Sequence, residues 1–324
     1  MFTLKTKDSV EMKILSISCF VPEQITDTVR FTGFDGSERL SHYCGYAADF
    51  ISQVREDGSI DGAVFPKSCD SSRSIGSYID DTGKFIYSMP VPAVRNDESV
   101  TYFAEILKDY KSKIEKHYGV TISEDDIKAR DAVISARNTK IAVAYGKLKD
   151  LSYASYIREV HASLNAPYEF DESRISKGND GKPVFLIGSF LAGIELADSF
   201  EKAGLKVLAD NMPESGRLAS RAGFVSSETD IYKKIASEIL CTRPSPTQDL
   251  FGETIKSDIA EIREKGCRGV IFATQKYCEP YDYLFSVYKK ALDEQGIPAL
   301  QVQMADSTDG NGKDSALEAF ADII

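Results

Sequence analysis

Residues 269–296 restrict what this chain can fold into more than any other stretch. Gly269 opens a four-residue apolar run, Val270-Ile271-Phe272-Ala273, with the length and composition of a strand buried on both faces. Leu284, Phe285, Val287, Tyr288, Ala291 and Leu292 then recur at helical spacing up to Gly296. A buried strand feeding a helix is the repeating unit of a parallel sheet, so the sequence reads as α/β. Cys278 falls on the turn between the two, at the carboxyl edge of the strand. Ligands bind at that edge of open α/β sheets, and helix N-termini there favour anions and thiolates. Free cysteines are also often simply buried, so position alone leaves Cys278 as either an inert core thiol or a site residue.

The pattern occurs twice. Asp61-Gly62-Ala63-Val64-Phe65-Pro66 reads as a compact strand, and the exit loop from Lys67 to Arg73 carries Cys69. Two cysteines placed alike after glycine-led strands point to paired α/β halves with comparable sites. Cys44 lies in Tyr43-Cys44-Gly45-Tyr46, at the start of a helix running to about Gln53. Residues 13–19 read as a strand ending in Cys19, followed by the turn Phe20-Val21-Pro22-Glu23-Gln24-Ile25. Residues 85–94 give a strand and a Pro-rich turn. Helices fill about 97–165, where Val100, Phe103, Ile106, Leu107, Tyr110 and Ile114 mark one apolar face and Ser123 with Asp126 forms a capping box.

The polar stretch 169–182 reads as a linker, dividing the chain into an N-terminal domain, 1–176, and a C-terminal domain, 183–324. The second domain opens on a βαβ unit over 183–209, whose first turn is not a dinucleotide fingerprint. A loop over 210–217 follows; Arg217 in it could meet a phosphate or carboxylate, a solvated arginine being the commoner case. Cys241 ends a helix over 231–240, and Cys267 starts the Val270 strand at the end away from Cys278, making it the poorest ligand candidate. The last strand spans 298–303 and the last helix 315–323, with a polar, mobile segment expected over 305–314.

A net charge of −11 argues against a general nucleic-acid binder. No apolar run spans a membrane and the start of the chain lacks a signal-peptide core, so the expected compartment is the cytoplasm. Six cysteines without any C-x-x-C leave no zinc ribbon or ferredoxin-like run, and three histidines make a histidine metal site a poor expectation.

Taken together, Cys19-Phe20-Val21-Pro22-Glu23-Gln24-Ile25, Tyr43-Cys44-Gly45-Tyr46, 61–70, 188–217 and 269–283 resemble, in order, the motifs of the 2-hydroxyacyl-CoA dehydratase and benzoyl-CoA reductase subunit family. The resemblance implies two flavodoxin-like (Rossmann-like) parallel-sheet domains with a helical insertion and a [4Fe–4S] cluster between them. It makes Cys44, Cys69 and Cys278 the cluster thiolates, with Cys19 and Cys241 in second rank. Three thiolates leave one iron free to bind an oxygen ligand.

The implied reaction is removal of water from a 2-hydroxyacyl-CoA through a ketyl radical, in an oxygen-sensitive lyase. The implied partners are a homologous second subunit (or a second copy), an ATP-dependent iron–sulfur activator and an acyl-CoA, with no nucleic acid and no membrane. A benzoyl-CoA reductase-like or double-cubane reductase subunit is the alternative, and a non-catalytic cluster-binding homologue a further one. The family usually carries Glu where this chain has Gln24, which cannot act as a base; Glu23 and Gln24 are nonetheless the catalytic candidates.

Overall fold

The computed structural model describes residues 12–17, 20–31, 43–165, 167–189, 195–222, 224, 226–240, 242–249, 251–304 and 310–324. Eight strands among them form two parallel four-stranded sheets. The first holds β1 (Ile14–Ser16), β2 (Val29–Arg30), β3 (Gly62–Lys67) and β4 (Phe85–Pro90) in the order β2-β1-β3-β4. The second holds β5 (Lys182–Gly188), β6 (Leu205–Asn211), β7 (Gly269–Gln275) and β8 (Ala299–Met304) in the order β6-β5-β7-β8. Each half thus has the 2-1-3-4 order of a flavodoxin-like sheet. The central strands are the apolar runs: every residue of β7 is buried, as is all of β3 except Lys67. At the end of β5 only glycine fits, because a Cβ on Gly188 would lie 2.0 Å from the Ala273 carbonyl oxygen of β7.

The helices are α1 (Gly45–Glu56), α2 (Asp70–Ser74), α3 (Gly76–Ile79), α4 (Asp97–Tyr118), α5 (Glu124–Tyr145), α6 (Tyr153–Ser163), α7 (Glu195–Lys202), α8 (Gly216–Ala222), α9 (Ile231–Leu240), α10 (Phe251–Glu264), α11 (Glu279–Asp293) and α12 (Gly310–Ile323). Val100, Phe103, Leu107, Tyr110 and Ile114 of α4 are buried as their spacing predicts, with Ile106 packed beside them. The box opening α5 closes as expected, with Asp126 N donating to Ser123 Oγ at 3.1 Å and Ser123 N donating to Asp126 Oδ2 at 3.0 Å.

Helices cross between the sheets. Ile231, Ile235 and Ile239 of α9, which follows β6 in the chain, pack with α4 against Val64 and Met89 of the first sheet. Ile141 of α5 and Tyr156, Ile157 and Val160 of α6 pack instead with Val184 and Leu186 of the second. This exchange locks the two halves together.

The polar stretch 169–182, read as a linker, is tied to the preceding segment: Leu151 and Lys177 form an antiparallel bridge, and Ser152 N donates to Ser176 O at 2.9 Å. One sequence expectation changes here. The segment 305–314 is in part helical, since α12 begins at Gly310; 305–309 lie outside the described residues. No helix among the described residues is long and apolar enough to cross a membrane.

Candidate functional site

In a 2-1-3-4 sheet the winding direction reverses between its first and third strands, and the loops leaving their carboxyl ends part to form a crevice. Here the two crevices face one another. Ile17 and Phe20 follow β1, Ser68 and Cys69 follow β3, Ser189 follows β5, and Gln275, the last residue of β7, leads to Cys278; all line one cavity of about 110 Å³. Cys44, Pro213, Arg217 and Thr247 line it as well. The structure therefore brings Cys44, Cys69 and Cys278 to a single cavity, one thiol from the second half and two from the first.

Each of the three cysteines caps the start of a helix, which presents its sulfur at a turn rather than within a regular element. The Cys44 carbonyl accepts from Ala47 N (3.0 Å) and Ala48 N (3.1 Å), and the Cys278 carbonyl from Tyr281 N and Asp282 N (both 3.1 Å). The longer helices α1 and α11 thus place their positive ends beside two of the thiols. Cys69 N donates to Ser72 Oγ at 3.0 Å, and that hydroxyl lies 3.4 Å from the Cys69 sulfur. Before Cys278 the backbone is forced. Tyr277 adopts φ +64°, and Cys278 N donates back to Gln275 O at 3.0 Å. A left-handed non-glycine residue costs on the order of 1–3 kcal/mol, and such strain gathers at functional turns.

The thiols share an electrostatic environment. Burial pushes the Cys44 thiol up to about 11, and the neighbouring Cys69 adds to the rise. Burial also raises Cys278, with Cys44 and then Cys69 contributing. Thiolates here need a bound cationic centre, whose binding would release their protons. Among the described residues, no three His, Cys, Asp or Glu side chains stand close enough to grip one metal ion. Three cysteine thiols around a common cavity are a donor set that would fit an iron–sulfur group, in which each thiolate binds a different iron.

The remaining candidates lie elsewhere. Cys267 sits at the far end of β7, away from the cavity, as its sequence position predicts. Cys19 and Cys241 lie outside the described residues. Glu23 and Gln24 line a second, polar cavity of about 30 Å³, which shares Pro213 with the first. Both oxygens of Glu23 are engaged, Oε1 by Arg30 Nη2 at 2.9 Å and Oε2 by Arg137 Nη2 at 2.7 Å. Burial works to raise this carboxyl, but Arg137 and then Arg30 outweigh it and hold it below the usual carboxylate range. Gln24 Nε2 donates to Asp131 Oδ1 at 3.3 Å, and Lys234 Nζ reaches Asp131 Oδ2 at 2.8 Å.

Arg217 departs from its sequence reading. It is buried, in helix α8 rather than a solvated loop, with Nε donating to Asn211 Oδ1 at 2.7 Å and Nη2 to the Tyr281 hydroxyl at 2.6 Å. Arg130 and Arg137 of α5 escaped notice altogether. The available signal was their seven-residue spacing, each lying three residues past Ile127 or Ile134, on a buried stripe that also carries Asp131 and Asn138.

Two flavodoxin-order sheets with cysteines converging from facing switch points define a class of α/β protein built around a thiol site between its halves. The chain belongs to the family of the 2-hydroxyglutaryl-CoA dehydratase D-component, whose match covers residues 37–324. Among curated relatives, the (R)-2-hydroxyglutaryl-CoA dehydratase beta subunit of Acidaminococcus fermentans is 24% identical, over 88% of this chain and 82% of that subunit. The lactoyl-CoA dehydratase beta subunit of Anaerotignum propionicum is 20% identical, over 83% of this chain and 77% of that subunit. Among solved structures, a GTP-binding protein of Sulfolobus solfataricus in complex with GDP aligns over 97% of this chain and 99% of its own. Its TM-score of 0.25 and 12% identity are too low to bear on fold or ligand.

Proposed function

We propose that this chain is the iron–sulfur subunit of a 2-hydroxyacyl-CoA dehydratase-type lyase, with Cys44, Cys69 and Cys278 holding a [4Fe–4S] cluster. The observation that carries the reading is the meeting of these three helix-capping thiols at one cavity between the two sheets. Membership of a dehydratase subunit family supports the reaction class. A cluster bound there would supply low-potential electrons and, at an iron without a thiolate, a Lewis acid.

The chain's own residues supply the surroundings. Ile17, Phe20, Tyr46, Pro66, Pro213 and Pro280 give the cavity largely apolar walls, and low local polarity strengthens electrostatic contacts inside. Ser189, Ser245, Thr247 and Gln275 offer hydrogen bonds to a bound oxygen. Among the described residues no carboxylate or imidazole lines this cavity, and Glu23 is taken up by two arginines. The chain's part is to hold the cluster and pass electrons from an ATP-dependent iron–sulfur activator to an acyl-CoA held jointly with a homologous subunit.

Iron and acid-labile sulfide content, with electron paramagnetic resonance after reduction, tests this on protein purified without oxygen. About four irons per chain are expected, with nearly all lost on Cys44→Ala, Cys69→Ala or Cys278→Ala. About eight irons, lost also on changing Cys19 or Cys241, would point to the double-cubane reductase. No iron would end the cluster reading.

A further inference from the structure

Ser72 lines the thiol cavity from α2, three residues past Cys69, and is 5% exposed. Its hydroxyl oxygen is crowded. Ser68 N donates to it at 3.2 Å and Cys69 N at 3.0 Å. A hydroxyl has two lone pairs and one proton. The two amides fill both lone pairs, so the Cys69 thiol reaches the oxygen only as a third, weak donor at 3.4 Å. The Ser72 proton itself goes to the Cys69 carbonyl oxygen at 3.0 Å. Two acceptors therefore stand within reach of that proton, the carbonyl oxygen and the sulfur of the same cysteine.

The charge on the sulfur decides between them. A neutral thiol is a weak acceptor, and the carbonyl keeps the proton. A sulfur bound to iron has lost its own proton and carries negative charge, and hydrogen bonds to an ionised acceptor are about twice as strong as those between neutral groups. The carbonyl can release the proton at little cost, because Arg73 N also donates to it at 2.9 Å. The two amides meanwhile fix the oxygen, so the change needs only a turn about the Cβ–Oγ bond. As a cap, Ser72 needs only its lone pairs. A proton placed between carbonyl and sulfur goes beyond that need. Ser71 acts in the same sense at the other thiol of this half: burial raises Cys44, and a hydrogen bond from the Ser71 hydroxyl works against the rise.

We propose that Ser72 is a positioning residue for Cys69 and, resting on the cluster reading above, that its hydroxyl turns from the carbonyl to the sulfur when a cluster binds, making that cluster easier to reduce. A hydrogen bond to a cluster thiolate draws negative charge from it, and reduction adds one negative charge, so the bond favours the reduced state. Ser72 acts through Cys69 and is not a ligand.

The test uses the full-length chain purified without oxygen, with Ser72→Ala, which removes the hydroxyl, and Ser72→Thr, which keeps it. A redox titration followed by electron paramagnetic resonance shows the midpoint of Ser72→Ala moved to more negative potential, and that of Ser72→Thr moved much less. Electron–nuclear double resonance on the reduced cluster, in light and then heavy water, shows an exchangeable proton coupled to it in the unaltered chain and in Ser72→Thr. That coupling is lost in Ser72→Ala. A residue that only caps α2 would lower the stability of Ser72→Ala and move neither reading. An unchanged midpoint in iron-replete Ser72→Ala, or an equal shift in Ser72→Thr, overturns the inference and leaves the cluster reading intact. Unaltered protein without iron overturns both. Should Ser72→Ala fail to fold or to keep iron, Ser72→Val against Ser72→Thr makes the comparison at equal shape. Absence of an exchangeable proton coupled to the cluster of the unaltered chain overturns the inference by itself.

Discussion

Pro213 stands between two cavities that treat charge in opposite ways. On one side Glu23 is clasped by Arg30 and Arg137, and Asp131 takes both Gln24 and Lys234. Opposite charges there answer one another within the chain. On the other side three thiols and one arginine face a space with apolar walls and hydroxyls, and no carboxylate among the described lining residues. A buried network answered from within acts as a strut between helices. Buried thiols gathered around an open space have bonding capacity left over, and that capacity is what marks a site. Under the function proposed above, Glu23 belongs to the scaffold and the cysteines to the chemistry.

The largest effect that could break this contrast is on Glu23. Glu23→Ala leaves two buried guanidiniums without their shared carboxylate, and should cost roughly 3–5 kcal/mol of stability. Chemical denaturation measures the loss, and iron per folded chain should stay as in the unaltered protein. A variant of near-normal stability that loses iron or turnover would move Glu23 into the active centre.

Gln24→Glu is the next test, and a smaller one. It sets a second carboxylate 3.3 Å from Asp131 in place of an amide donor. Lys234 already reaches Asp131, so it softens the repulsion without abolishing it. A loss of roughly 1–3 kcal/mol is expected, the scale of a buried hydrogen bond replaced by a repulsive pair. Unchanged stability with a gain in turnover would show that this position wants a carboxylate for chemistry, and that the polar cavity is not a strut.

How far the sequence revealed these two regions follows from the range of the interactions involved. The thiol cavity was visible because its parts are local: a glycine-led apolar run, then a cysteine, then a helix, repeated at Gly62–Cys69 and Gly269–Cys278. Strand order and facing crevices follow from two such halves. Arg217 was hidden because one of its holders, Tyr281, lies 64 residues away and reaches it only once β6 and β7 share a sheet. Arg137 was hidden because a cation on a helix reads as solvent-facing until Glu23, 114 residues earlier, is seen beside it. The exchange of α9 and α6 between the sheets left no local trace either, since an amphipathic helix shows that it packs but not on what.

The smallest effect is the most discriminating, because it sets one buried carboxyl on each side of Pro213 against the other. Glu23 is held below its ordinary value of 4.5, so the folded state prefers it ionised. The stability it contributes is fully present above about pH 4.5 and is lost as pH falls through its folded value. Asp210, behind the Arg217 turn, is the reverse. Burial pushes it from 3.8 up to about 6, although Ser215, Met212 and Gly216 donate to it. The folded state there binds the proton more tightly than the unfolded chain, so stability falls as pH rises from about 4 to about 6, and is level above that. Each proton contributes at most about 1.4 kcal/mol per pH unit to the slope. Melting across pH 3–7 should therefore show stability rising on acidification from about pH 6 and turning down below about pH 4.5. Asp210→Asn, whose amide oxygen can still accept from Met212 and Gly216, should flatten the rise and leave the acid limb. Glu23→Gln should shallow the acid limb and leave the rise. If Asp210→Asn leaves the rise unchanged, the carboxyl behind the thiol cavity is as content with its charge as Glu23 is, and the two sides of Pro213 differ in their ligands but not in their electrostatics.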